Sequence, residues 1–152
     1  MTLNNTSFQL TSTSKILPGL FDQIQSRSLG TSVAGLPVNF YDFDAMTQGL
    51  QRGDLIVLGG RPAMGKTSLA LNIAKNIAQI HKLPVCIFTL EMSIEQLTYR
   101  LLSMEVGIET SRLRTGRLQD DEWPYLGEAI ESLGQLPIFI TDKSMITVIE
   151  MI

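Results

Sequence analysis

An α/β fold built on a parallel sheet is predicted by three observations. Apolar runs alternate with segments of helical period along the chain. The first run, Leu55-Ile56-Val57-Leu58, leads within two residues into a glycine-rich loop. A second run, Leu83–Leu90, is apolar almost throughout, as a strand covered on both faces should be. At 152 residues and 44% hydrophobic content the chain can bury a real core.

The elements are justified in order. Residues 1–14 are polar, rich in Thr, Ser and Asn, and read as a flexible tail. Leu17, Leu20, Phe21 and Ile24 follow the i, i+3, i+4, i+7 spacing of one helix face, and Pro18 suits a first helical turn. This helix and the Ser- and Gly-containing stretch after it form a linker over 15–34. Asn39 is placed to cap a short helix over Phe40–Asp44. The first strand is Asp54–Leu58, followed by the loop and a helix through Ala78. After the second strand, Ser93-Ile94-Glu95-Gln96 resembles a capping box, and its helix carries Ile94, Leu97, Leu101 and Met104 on one face. Another helix begins at Asp120, with Trp123, Leu126, Ile130 and Leu133 as its stripe. Pro137–Thr141 is a third strand.

The loop carries the chemistry. Gly60-Arg61-Pro62-Ala63-Met64-Gly65-Lys66-Thr67 matches G-x-x-x-x-G-K-S/T, the phosphate-binding P-loop, and Ser68 continues it into the helix. Glycines let successive backbone N–H groups point inward at phosphate oxygens. Lys66 sits where an ammonium reaches the β- and γ-phosphates of ATP, and Thr67 offers its hydroxyl to Mg²⁺. The helix after the loop aims its positive end at the same anion. In parallel α/β sheets ligands bind beyond the carboxyl ends of the strands. Glu91, just past the second strand, therefore faces the phosphate edge. Its alternative reading is a carboxylate that caps or salt-bridges the next helix.

Composition excludes several classes. One cysteine, Cys86, rules out a disulfide framework, and its apolar neighbours suggest a buried structural thiol. One histidine, His81, rules out a His-based metal cluster and reads as a solvated residue at a helix end. No stretch approaches the ~20 apolar residues of a membrane span, and the amino terminus is not a secretory signal. A net charge of −3 gives no general attraction to nucleic acid. Arg112, Arg114 and Arg117 form the one basic cluster, read as a solvated loop with a phosphate contact as the alternative.

Four segments together resemble the bacterial replicative DNA helicase family of the DnaB type. They are Gly35–Asp44, Thr47–Ile56, Arg61–Ser68 and Phe88–Ser93. The Arg-Pro-x-Met-Gly-Lys-Thr form, followed by Leu-Glu-Met, is far more specific than the P-loop alone. The resemblance covers 15–152 and implies a RecA-like ATPase core. It implies a homo-hexameric ring that hydrolyses ATP with Mg²⁺, moves along single-stranded DNA, and works with primase and a loader. By resemblance, Gly60, Arg61, Pro62, Ala63, Met64, Gly65, Lys66, Thr67 and Ser68 bind nucleotide. Thr67 holds Mg²⁺, and Lys66 and Glu91 act in hydrolysis, with Glu91 orienting the attacking water. The helix around Leu17–Ile24 resembles the family's linker helix, which docks on an adjacent subunit. Arg100 matches a family arginine, although a helix-surface ion pair is the simpler reading of it. Ala63 stands where the family usually has serine.

The resemblance implies that residues 35–152 are the amino-terminal half of the ATPase domain. Thr147-Val148-Ile149-Glu150 opens another capping box with two residues left, three strands make a thin sheet, and no later strand ends in the Walker B aspartate. The chain thus reads as truncated after about three strands, and in isolation it is expected to be inactive. A RecA-like ATP-binding regulator or assembly factor is the alternative function. The expected location is the cytoplasm, associated with the nucleoid, or a plastid stroma.

Overall fold

A computed structural model of the chain describes residues 10–30 and 35–143. The elements run α1 Thr13–Ser28, α2 Tyr41–Thr47, α3 Lys66–Ile80, β1 Val85–Phe88, α4 Ile94–Val106, α5 Thr110–Thr115, α6 Glu122–Gly134 and β2 Ile138–Thr141. The chain divides after Asp54 into two compact units. The expected capping box at Thr147 lies outside the described residues.

In the first unit, α1 begins at Thr13, so Pro18 lies inside the helix rather than in its first turn. Leu17, Leu20, Phe21 and Ile24 do share a face, and that face is exposed. The cap of α2 departs from expectation. Phe40, not Asn39, is its N-cap. The Asp44 carboxylate instead accepts hydrogen bonds from the backbone N–H groups of Val38 and Asn39, both at 2.9 Å. One carboxylate oxygen takes each donor, which ties the chain before the N-cap to the helix. Val38 is fully buried. An antiparallel bridge joins Leu36 to Leu50. There a Cβ on Gly35 or Gly49 would stand 2.8 Å from the opposing backbone, so only glycine allows the approach.

The second unit is built on a two-stranded parallel sheet with Val85 opposite Ile138 and Phe88 opposite Thr141. The helices α4, α5 and α6 make the crossover, as parallel pairing requires. The core is the cluster Leu71, Leu97 and Leu101, packed against Ile87, Met92, Met104, Leu133 and Ile140. Leu71, Ala74 and Ala78 recur at i, i+3 and i+7, which turns one face of α3 into this core. A Lys75–Glu105 ion pair ties α3 to α4.

Several expectations are corrected. The run Asp54–Leu58 forms no strand among the described residues, and Leu55 and Val57 are 90% and 83% exposed. A strand exists only where a neighbour completes its ladder, and no described residue pairs with this run. The second strand is four residues rather than eight, because Pro84 has no N–H and the partner strand spans only Ile138–Thr141. One face of the sheet is covered, by contrast with the two expected. Val85 and Ile87 are half-buried, whereas Cys86 and Phe88 are exposed, so Cys86 is not a buried thiol. In α6 the buried residue is Ala129, while Trp123 and Ile130 are more than half exposed. His81 is the C-cap of α3 and is half-buried rather than solvated. Two of the three clustered arginines, Arg112 and Arg114, lie on α5 rather than in a loop, whereas Arg117 follows the C-cap Gly116 and is exposed.

Candidate nucleotide-binding site

The glycine-rich loop ends where α3 begins. Gly65 is the N-cap with φ +84°, a left-handed conformation that favours glycine. Earlier in the loop, the N–H of Met64 donates to the carbonyl of Arg61 at 3.3 Å. Pro62 takes the second position of this turn and Ala63 the third, with φ +63°. That is the pattern of a type II turn, whose third position ordinarily takes glycine. The first-turn N–H groups of α3, at Lys66, Thr67 and Ser68, have no intrahelical acceptor, because the first helical bond runs from Leu69 N–H to the Gly65 carbonyl at 2.9 Å. Among the described residues no side chain caps this end. The Lys66 ammonium donates to the Gly60 carbonyl at 2.9 Å and so folds over the loop.

Lys66 and Thr67 line a cleft of about 460 Å³. Its far wall comes from the carboxyl end of β1 and the turn beyond it, including Thr89, Glu91 and Met92. The sequence-predicted acid and the P-loop cation thus open onto one cavity. Glu91 is exposed, and among the described residues it has no hydrogen-bond or ion-pair partner. It does not cap α4. Ser93 does so, in a full capping box with Gln96: Gln96 N–H to Ser93 Oγ at 3.2 Å, and Ser93 N–H to Gln96 Oε1 at 3.1 Å.

Sequence reasoning missed the clamp on this turn. The Thr89 hydroxyl donates to the Met92 carbonyl at 3.0 Å and accepts from the Met92 N–H at 3.2 Å. The Thr89 N–H is itself bonded to the Thr141 carbonyl of β2 at 3.0 Å. Asp142, just past β2, accepts from the Ile94 N–H in the first turn of α4 at 3.3 Å. The signal available was a hydroxyl residue three positions before Met92, the spacing of a local side-chain-to-backbone motif.

The basic residues lie apart from this chemistry. Arg112 makes a bidentate pair with Glu122, Nη1–Oε1 at 2.9 Å and Nη2–Oε2 at 2.6 Å. Arg100 makes no ion pair among the described residues and lines a separate hollow with Arg114, Gln96 and Thr110. Neither Arg100 nor Arg112 opens onto the cleft. No group of three or more His, Cys, Asp or Glu side chains is poised to hold a metal among the described residues.

The donor set around the cleft suits a phosphate chain. It offers one ammonium, free N–H groups at a helix start and a hydroxyl on Thr67, and the loop glycines present bare backbone. The family described as the DnaB-like helicase C-terminal domain matches residues 35–152. The chain belongs to that family. Replicative DNA helicase DnaB of Nostoc sp. strain PCC 7120 is 53% identical over 131 residues, covering 86% of this chain and 15% of the relative. Among solved structures, one titled as an ATPase domain superposes with a TM-score of 0.84 at 28% identity, covering 94% of this chain and 50% of the other. A second, "The Structure Of A DnaB-Like Replicative Helicase And Its Interactions With Primase", gives 0.78 at 28% identity, covering 94% and 34%. The DnaB-like kinship fixes the fold as a RecA-like ATPase core. The chain spans well under a third of the Nostoc relative, and half or less of each solved structure.

Proposed function

We propose that this chain is the ATP-binding part of a replicative DNA helicase, one that couples ATP hydrolysis to movement along single-stranded DNA and to duplex unwinding. The observation that supports this best is the shared cleft: Lys66 and Thr67 on one wall, unpartnered Glu91 on the other. Residues Gly60–Ser68 would hold the phosphates, and Thr67 would ligate Mg²⁺ through its hydroxyl. The metal, when bound, would offset phosphate charge. Lys66 would contribute its positive charge to the same oxygens. Glu91, with no competing partner, is free to accept a proton from water or to orient it, which hydrolysis of a phosphoryl group needs.

In this reading residues 35–152 are one half of an ATPase domain and 15–34 a linker to neighbouring parts. The working form is a homo-hexamer that meets primase and a loader. No helix among the described residues is long and apolar enough to cross a membrane.

Glu91→Gln in the full-length protein carrying these residues tests the reading. ATP affinity should persist while steady-state hydrolysis falls on the order of 10²-fold, the low end for a general base. Near-normal hydrolysis by the variant would overturn the assignment of Glu91.

A further inference from the structure

Glu91 is exposed and has no partner among the described residues, so none of them fixes where its carboxylate points. Its backbone is fixed nevertheless. The Thr89 hydroxyl both donates to and accepts from Met92, at 3.0 and 3.2 Å, which closes a small ring with Leu90 and Glu91 held inside it. One side of that ring is anchored to β2 through Thr89 N–H to the Thr141 carbonyl at 3.0 Å. The other side continues directly into the capped start of α4 at Ser93, where the Ile94 N–H meets Asp142. The Met92 side chain packs against the core cluster. Both ends of the turn are therefore set by rigid elements, and the hydroxyl is the strut between them.

We propose that Thr89 is a positioning residue for hydrolysis: its hydroxyl fixes the turn that aims Glu91 into the P-loop cleft. This rests on the reading of Glu91 as the group that orients water. The physical case is one of geometry. Rate falls steeply when a catalytic group is displaced by about an ångström, on the order of 10²-fold. A short turn without its closing hydrogen bonds gains that much freedom. Valine has the shape of threonine without the hydroxyl, so Thr89→Val would leave the Met92 N–H and carbonyl without this partner while keeping the packing.

The experiment uses the full-length protein carrying these residues, with kcat and KM for ATP measured separately. Thr89→Val should lower kcat about tenfold or more with KM within about twofold, since no phosphate contact is lost. Thr89→Ser keeps the hydroxyl and should restore wild-type kcat. In a Glu91→Gln background, Thr89→Val should cost nothing further, because a residue that acts only through Glu91 has nothing left to position. Thr89→Ala, which cannot overpack, repeats the test should valine prevent folding, with binding of a fluorescent ATP analogue as the check on the fold. Wild-type kcat in Thr89→Val, in a protein that Glu91→Gln inactivates, would overturn the proposal. So would a full additive loss in the double variant. Normal hydrolysis by Glu91→Gln would instead overturn the reading of Glu91 itself.

Discussion

The ammonium of Lys66 donates a 2.9 Å hydrogen bond to the carbonyl oxygen of Gly60, six residues back along its own loop. The cation is thus held over the loop interior by the loop's backbone. A phosphate entering that space would meet a charge already in place, at the cost of exchanging the ammonium's bond to a neutral carbonyl for one to an anion.

Lys66→Ala removes this charge. ATP binding should weaken by about 1.5–3 kcal/mol, on the order of 10- to 100-fold in Kd. Titration with a fluorescent ATP analogue measures it. Equal affinities for the variant and the wild type would remove Lys66 from the phosphate site.

Ala63 holds φ +63°, which costs a residue with a Cβ about 1–2 kcal/mol relative to glycine. Ala63→Gly relieves that strain but loosens the unfolded chain by about 0.4–1 kcal/mol. The net expectation is a stability equal to wild type or higher by up to about 1.6 kcal/mol. Ala63→Val, whose branched Cβ resists a positive φ, should destabilise the fold. Urea unfolding of the three proteins decides it. A marked loss of stability in Ala63→Gly would mean that the alanine methyl makes a packing contribution larger than the strain.

Leu97 is 2% exposed at the centre of the core cluster with Leu71 and Leu101. Leu97→Ala should cost about 2–5 kcal/mol through lost burial and the cavity left behind. Denaturant unfolding measures the loss. A cost below about 1 kcal/mol would show that α4 collapses onto α3 and that the cluster is not a close-packed core.

The Arg112 guanidinium, and after it the Gln119 N–H, hold the Glu122 carboxyl below its ordinary value of 4.5. A lowered folded value stabilises the native state above the unfolded value, and the contribution disappears as pH falls below 4.5 through the folded one. Acid should therefore release the contact between α5 and the start of α6. The pair is partly exposed, so the effect should be modest and should shrink with added salt. Unfolding midpoints measured at about pH 6 and about pH 3.5 should differ less in Glu122→Gln than in wild type. The same pH dependence in both would exclude this pair.

The layout of the candidate site was legible where spacing in the sequence sets it. The P-loop spacing, the position of Glu91 past a strand end and the Ser93–Gln96 capping box could each be read from neighbours close in sequence. The fold was legible as an alternation of apolar runs and helical periods, and less so in the extent of its strands. Apolar character marks Leu55–Leu58 as strand-like, yet ladder bonds depend on a neighbour that lies elsewhere in sequence. Cys86 reads as buried from its neighbours, although burial depends on which face of the sheet is covered. The short helix α5 has no apolar stripe long enough to reveal it, and only Leu113 is buried. The Thr89 ring and the two bonds to Asp44 were not legible, because several hydroxyls and carboxylates in the chain could have served equally well.

The bare face of the β1–β2 sheet places Cys86 beside Phe139 in register, with Phe88 exposed on the same side. Cys86 is the chain's single thiol. A maleimide reagent added to this chain alone therefore reads one location. Rapid alkylation would report an open face, and a slow rate would report a layer laid over it. Cys86 thus becomes a stopwatch for assembly. Its labelling half-time can be followed by mass spectrometry as nucleotide, DNA or further polypeptide is supplied.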